Sequence, residues 1–216
     1  MNTTTRRPLT GAAPARDWRT SAACQGIDTD TIFSDRSREQ QQMHGICRGC
    51  PVKVTCLQEQ IRCEGTDYTW GVAGGLTPLQ RRALRVEALR GNRPNLGQAR
   101  VLASPVFAEF MAQWRDWPAD VVAGELRKHD VIASVVTVRV ALWWTGAKGS
   151  VLSPRGPEDK RVLWEQVRDE CQDLVAELRE LRLSLESIAA YLGVSHCQVE
   201  QAVRSWNYAA KMAVAA

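Results

Sequence analysis

The stretch ICRGCPVKVTC, residues 46–56, places three cysteines within eleven positions. Two residues separate Cys47 from Cys50, so that these sulfurs lie on one turn of the chain, and Cys56 follows after five intervening residues. Three thiols in so short a segment indicate a metal site or redox chemistry. A tetrahedral zinc ion or a four-cysteine iron–sulfur cluster requires a fourth ligand.

The fourth ligand has two cysteine candidates. Cys24 lies upstream of the run and Cys63 lies after it, while His44 is a weaker nitrogen alternative. Zinc ribbons usually carry two Cys-x2-Cys pairs, whereas this segment has one pair and two single cysteines, which fits that architecture poorly. The spacing therefore leaves three chemistries open: an iron–sulfur cluster, a zinc site, and thiol–disulfide chemistry by the Cys47–Cys50 pair.

The composition favours a cytoplasmic protein of one or two domains. The chain has 216 residues, 44% of them hydrophobic, and no run approaches the ~20 apolar residues that span a bilayer. Residues 1–16 carry no apolar secretory segment and are predicted to be a flexible lead-in. Five of the seven cysteines lie between positions 24 and 63. Such clustering is typical of metal or redox sites in a reducing cytosol rather than of a secreted disulfide scaffold.

The net charge of +4 is concentrated in one segment. Residues 80–105 carry six arginines and one glutamate, whereas residues 106–216 carry 13 basic and 15 acidic side chains. A basic segment of this kind favours contact with a nucleic-acid backbone or an acidic protein surface. A solvated helix face is the simpler alternative.

The apolar patterning predicts an all-α chain, because no strand alternation of any length is present. A small helical domain is predicted over residues 17–90, ending in a helix over 76–89 that Thr77 can cap. Residues 91–105 are rich in proline, glycine and asparagine and are predicted to be a basic linker. Residues 106–216 are predicted to form a second helical domain.

Two patterns mark the C-terminal part. Apolar residues recur every three or four positions over 158–184, which predicts one long helix, and a dimer through residues 158–182 is a further possibility. Residues 184–206 predict a helix-turn-helix, in which Gly193 forms the tight turn between two short helices capped by serines.

Further elements surround the cysteines: Trp18 before Cys24, CRGCPVKVTCLQEQI from position 47, and GVAGGLTPLQRRAL from position 71. Together they resemble the WhiB-like family of actinobacterial regulators and their phage relatives, over about residues 17–90. The resemblance implies a small helical domain folded around a [4Fe–4S] cluster and a redox-sensitive role in transcription. It leaves Cys63 as a spare thiol. The implied cluster ligands are Cys24, Cys47, Cys50 and Cys56.

The glycine-rich turn WGVAGGLTP, residues 70–78, resembles a family element that helps to bind region 4 of the primary sigma factor. Ala73 stands where that element carries a tryptophan, and this substitution removes the kind of aromatic anchor that dominates an interface. Trp70, three residues earlier, is a partial substitute. The implied sigma-factor contacts are Trp70, Gly71, Val72, Gly74 and Gly75.

Two groups of side chains are candidates for DNA contact. In the family, basic residues after the turn are associated with DNA, and arginine suits phosphate contact. In this chain they are Arg81, Arg82, Arg85, Arg90 and Arg93. On the second helix of the predicted helix-turn-helix, the candidates for reading bases are His196, Gln198, Gln201 and Arg204. Because the C-terminal part is net acidic, a structural or protein-binding role for these helices is the alternative.

Sequence support for catalysis is weak. The chain shows no phosphate-binding glycine loop and no Ser-His-Asp arrangement, and its three histidines are scattered. We therefore expect a regulator rather than an enzyme. The alternative is that the cluster-free form reduces protein disulfides through Cys47 and Cys50, as has been proposed for WhiB-like proteins.

Overall fold

Helices form almost all the regular structure of the computed structural model, which describes residues 17–64, 70–147 and 164–215. The predicted flexible lead-in, residues 1–16, lies outside these ranges. Two short 3-10 helices, Trp18–Ser21 and Pro105–Phe107, are present. In the described ranges the α-helices are α1 (Thr29–Ile32), α2 (Ser37–Arg48), α3 (Lys53–Cys63), α4 (Pro78–Leu89), α5 (Leu96–Leu102), α6 (Ala108–Gln113), α7 (Ala119–Lys128), α8 (Val135–Trp144), α9 (Trp164–Glu170), α10 (Gln172–Glu180), α11 (Leu185–Leu192) and α12 (His196–Ala215).

The predicted all-α fold is confirmed. Within the described ranges no residue belongs to a β-strand, and the one extended pairing is an isolated bridge between Ala73 and Leu76. None of the helices described there combines the length and the apolar character that crossing a bilayer requires.

Local sequence signals fix the ends of the helices that the sequence predicts best. α4 begins behind a reciprocal cap, in which the Thr77 hydroxyl accepts the Gln80 N–H and the Gln80 side chain accepts the Thr77 N–H. α11 begins behind Ser184 and ends at Gly193, whose φ of +77° suits glycine. The predicted helix over 76–89 and the predicted pair of helices in 184–206 are therefore both present.

The predicted linker contains a buried helix, which corrects the assignment of residues 91–105. α5 places Leu96, Ala99 and Leu102 in the core. Asn95, read from the sequence as a loop former, instead caps this helix by accepting the Gln98 N–H at 3.0 Å. Asparagine serves loops and helix N-termini equally, so composition alone could not separate the two.

The predicted long helix over 158–184 is wrong in its described portion, because two shorter helices replace it. α9 ends at Glu170 and α10 begins at Gln172, with Cys171 between them at a non-helical φ of −120°. The remaining residues of that prediction, 158–163, lie outside the described ranges. Within the described residues, most of the apolar stripe lies in the chain's own core, although Leu181 is 40% exposed, and a dimer through the stripe remains a prediction. The buried members are Val167, Cys171, Val175 and Leu178.

α8 lies at the centre of the described structure. Nine of its ten residues are buried. α5 and α7 pack on α8, while α4 packs on α11 and α9 on α12. One continuous apolar core runs from Leu57 in α3 through Leu84 in α4 and Leu142 in α8 to Ala202 in α12. Residues that the sequence assigns to separate parts thus stabilise one another through a shared core.

Candidate metal centre

Four cysteines converge from three segments of the chain. Cys47 lies in the last turn of α2 and Cys50 follows that helix. Cys56 lies in the first half of α3, and Cys24 lies in the turn after the first 3-10 helix. The Cys47 sulfur is near enough to the other three to interact electrostatically with each of them. The structure therefore brings together the four cysteines that the resemblance implies.

Cys63 lies apart from this group. Its thiol is exposed at the end of α3 and donates to Glu59 Oε1 at 3.4 Å. Within the described ranges, no three His, Cys, Asp or Glu side chains stand close enough together to hold a single metal ion. The feature that fits a cluster is the donor set itself, four thiols with no nitrogen or oxygen ligand among them.

Backbone amides point at the sulfurs. The N–H of Gly75 donates to Cys47 and that of Gly74 donates to Cys56, and the Ala23 N–H donates to Cys50 Sγ at 3.5 Å. Donors of this kind stabilise negative charge on sulfur, which is the charge a ligating thiolate carries. The arrangement therefore suits a metal-bound state of these cysteines.

Burial opposes that charge when no metal is bound. Burial raises the pKa of the Cys47 thiol to about 11, against the lowering effect of the Gly75 hydrogen bond. Burial likewise raises the pKa of Cys56. Thiols of this kind are protonated at neutral pH, so metal binding must displace their protons. The high pKa also argues against Cys47 as a reactive nucleophile, because such cysteines have depressed pKa values.

A small apolar cluster surrounds the cysteines. Met43, Cys47 and Val72 are its buried members, with half-buried side chains packed around them: Cys24, Ile27, Ile32 and Ile46. This cluster is separate from the main core, which begins at Leu57 immediately after Cys56. Apolar surroundings limit the access of water to the sulfurs.

Gly74 allows the turn to approach the cysteine-bearing helix α3. Its φ is +57°, and a Cβ built on it would lie 2.4 Å from Cβ of Leu57. A side chain at this position would therefore be strained by the backbone and would overlap α3. Glycine is required here by both the backbone and the packing.

Arg81 is a structural residue of the turn, which corrects its assignment as a DNA contact. Its side chain is fully buried and pairs with Glu64 at 2.8 Å. Because it is enclosed by protein, it cannot reach a phosphate. It also donates to three backbone carbonyls, those of Trp70, Gly71 and Leu76.

The turn itself offers little surface to a partner. Trp70 is 61% exposed. The other predicted sigma-factor contacts are buried, because the turn lies between the cysteines and the C-terminal helices: Gly71, Val72, Gly74 and Gly75. In this structure the contact predicted for those four residues would require the turn to be uncovered.

Two of the four remaining predicted arginines after the turn, Arg82 and Arg90, bind the chain's own acidic C-terminal helices. Arg82 pairs with Glu186 at 2.6 Å, and Arg90 pairs with Glu177 at 3.0 Å. Arg85 is half-buried and donates to the Ile61 carbonyl. Part of the positive charge of residues 80–105 is thus neutralised by acidic side chains of the chain's own C-terminal helices. Arg93 is exposed.

The predicted base-reading residues lie near the start of α12. His196, Gln201 and Arg204 are exposed, and Arg204 pairs with Glu200 at 2.7 Å. Gln198 is engaged at the helix N-terminus, where its side chain accepts the Ser195 N–H at 2.9 Å. A contact of these residues with DNA remains a prediction.

Sequence reasoning missed a buried ion pair that links α4 to α8. Arg139 pairs with Glu87 at 3.1 Å, and both side chains are almost fully buried. The Arg139 guanidinium also lies 5.0 Å from the ring centroid of Tyr191 in α11. One arginine inside the apolar run VVTVRVALWW was the available signal, because a charge in such a run requires a buried partner.

Comparison with known proteins identifies relatives of the N-terminal part. A family model described as transcription factor WhiB matches residues 18–84. WhiB1 of Bifidobacterium longum is 34% identical over 92 residues, which cover 40% of this chain and 97% of that protein. WhiD of Streptomyces coelicolor is 31% identical over 75 residues, covering 32% of this chain and 64% of that protein. No solved structure matches significantly.

WhiB2 of Mycobacterium tuberculosis is 29% identical over 68 residues, which cover 32% of this chain and 73% of that protein. All three relatives are named transcriptional regulators. The residues matched by the family model include the four converging cysteines and the glycine turn, whereas α5 to α12 lie beyond them. On these grounds the chain belongs to the WhiB family of transcriptional regulators.

Proposed function

We propose that this protein is a cytoplasmic, redox-sensitive transcriptional regulator that binds a [4Fe–4S] cluster, DNA and region 4 of the primary sigma factor. The observation that supports the proposal is that four thiols lie in one region of the fold and that three of them, Cys47, Cys50 and Cys56, accept hydrogen bonds from backbone amides. The residues that would hold the cluster are Cys24, Cys47, Cys50 and Cys56.

The cluster would supply a redox-labile cross-link between the segments that carry its ligands. The chain itself holds the thiols together, donates N–H groups to three of the sulfurs and excludes water with the apolar side chains around Met43. Cys56 directly precedes Leu57, which is fully buried in the main core. A change at the cysteines is therefore transmitted directly to the packing of α3.

Anaerobic purification tests the cluster. We expect a coloured protein with four iron and four sulfide ions per chain, as a four-cysteine [4Fe–4S] site requires. Cys56→Ala should lose both iron and sulfide. Cys63→Ala is the matched control, since it removes an exposed thiol on the same helix and should retain them. A colourless wild-type protein containing zinc or free thiols would refute the proposal.

The sigma-factor contact rests on Trp70, the exposed member of the predicted set. Large exposed aromatic side chains are common anchors of protein interfaces. Trp70→Ala should weaken capture of sigma region 4 in a co-expression pull-down. Tyr208→Ala, which removes an equally exposed aromatic ring from α12, should leave capture unchanged. Equal capture by both variants would contradict this contact.

The DNA contact rests on Arg93 together with the first turns of α12. Arg93 is exposed in the stretch that joins α4 to α5. Replacing one phosphate-contacting arginine should reduce the slope of log affinity against log salt by about one. Arg93→Ala is expected to show this change, whereas Arg36→Ala, which removes an exposed arginine outside the predicted set, is not. An unchanged slope for Arg93→Ala would exclude it as a phosphate contact.

A further inference from the structure

Trp144, the last residue of α8, covers the face of the glycine turn that points away from the cysteines. Its indole Nε1–H donates to the Gly74 carbonyl at 2.8 Å. A Cβ built on Gly75 would lie 3.1 Å from Cδ1 of the Trp144 ring, so that the ring rests directly on the turn. Lys53 Nζ lies 4.5 Å from the centroid of the same ring. The indole is buried, so water does not compete for this carbonyl.

The opposite face of the same turn contacts the cysteines. The Gly75 N–H donates to Cys47, and the Gly74 N–H donates to Cys56. The carbonyl of Gly74 and the N–H of Gly75 belong to one peptide unit, which is planar and rigid. Rotation of this unit would move its oxygen away from Trp144 and its hydrogen away from the Cys47 sulfur together. The two hydrogen bonds are therefore mechanically linked.

We propose that the Gly74–Gly75 peptide unit couples the cluster to the C-terminal helices, so that a bound cluster holds Trp144 in place and loss of the cluster releases it. This inference rests on the proposed cluster. Its cause is electrostatic, because cluster binding fixes thiolates at Cys47 and Cys56 and so strengthens the N–H···S hydrogen bonds that orient the turn. A turn held in this orientation presents the Gly74 carbonyl to the Trp144 indole.

α8 is well placed to transmit the release. It is the central helix of the described structure and carries the packing of α5 and α7. Loosening at Trp144 therefore acts on the helix that organises the C-terminal part. Binding free energies are reciprocal, so docking of Trp144 must also strengthen retention of the cluster by the same factor.

Trp144→Phe is the direct test, made in the full-length protein purified anaerobically with its cluster. The phenyl ring keeps most of the packing but leaves the buried Gly74 carbonyl without its donor. A buried carbonyl without a donor is expected to shift the equilibrium between the docked and the released side chain at position 144 about tenfold towards release. We therefore expect the visible absorption of the cluster to decay about tenfold faster in air than in the wild type.

Trp206→Phe is the matched control. The Trp206 indole N–H also donates to a backbone carbonyl, that of Arg168 at 2.9 Å, but this bond lies between C-terminal helices and away from the turn. Its cluster should decay at the wild-type rate. Decay of the Trp144→Phe cluster at the wild-type rate, or equal acceleration in both variants, would overturn the coupling.

Hydrogen exchange of the wild-type protein gives an independent test that needs no variant. Amides over 141–147, at the end of α8, should exchange faster after the cluster is removed anaerobically with an iron chelator. Equal exchange before and after removal would overturn the coupling while leaving the cluster assignment intact. A wild-type protein that contains no iron and sulfide at the outset would overturn both.

Discussion

Arg81→Ala should be among the most destabilising substitutions in the protein. The Arg81 side chain is fully buried, and its partner Glu64 is only 10% exposed at the side chain. The substitution strands this carboxylate and the three backbone carbonyls that Arg81 satisfies, at donor–acceptor distances of 2.7 to 3.0 Å. Removal of one member of a buried ion pair costs about 3–5 kcal/mol. Because domains are stable by only about 5–15 kcal/mol, this loss is a large fraction of the total.

Urea unfolding of the protein purified and kept under anaerobic conditions measures this cost. We expect a fall of about 4 kcal/mol in the free energy of unfolding for Arg81→Ala. Arg81→Lys should lie between this variant and the wild type, because an ammonium group keeps the charge but not the planar fork of donors. Arg36→Ala is the control: it removes an exposed pair with Glu39 and should cost less than about 1 kcal/mol.

A small loss would refute this reasoning. If Arg81→Ala destabilised the protein by less than about 1 kcal/mol, Arg81 would behave as an ordinary surface residue. If it also reduced the salt dependence of DNA binding, Arg81 would act as the phosphate contact that the sequence pattern predicts.

Two further predictions concern the turn and the core. Gly74→Ala should destabilise the protein more than Gly26→Ala. Both glycines have positive φ, but only a Cβ built on Gly74 would lie within 4 Å of other atoms, those of Leu57. Comparison of the urea midpoints of the two variants tests this, and equal losses of stability would contradict the packing argument. Burial raises the pKa of Cys171 from 9.0 to about 11, so its contribution to stability should be complete below pH 9 and lost as the pH rises towards 11. Cys171→Ala should reduce this alkaline loss, and an unchanged pH profile would argue against it.

The cysteines and the helix caps could be predicted because their signals are local. Cys47, Cys50 and Cys56 lie within one short segment, and the resemblance adds Cys24. The capping box around Thr77 is likewise complete within four residues. Such features depend on neighbours in the sequence, which a single chain displays directly.

The roles of charged residues could not be predicted in this way. Arg81 and Arg82 are adjacent in an arginine-rich helix, yet one is fully buried against Glu64 and the other pairs with Glu186 in α11. Which face of a helix is covered depends on segments distant in the sequence. The contact of Trp144 with Gly74 has the same origin, since 70 positions separate the two residues.

The continuous core has a consequence for modular exchange. The N-terminal part, residues 17–90, cannot be recombined freely with other C-terminal segments, because α4 contributes Leu84 and Val86 to a core that α8 and α11 complete. A fusion joined at residue 90 would leave these leucine and valine side chains exposed to solvent unless the new segment supplied a matching apolar surface. Divergence of this regulator is therefore expected to proceed by paired changes on both sides of the α4–α11 contact rather than by exchange of whole modules.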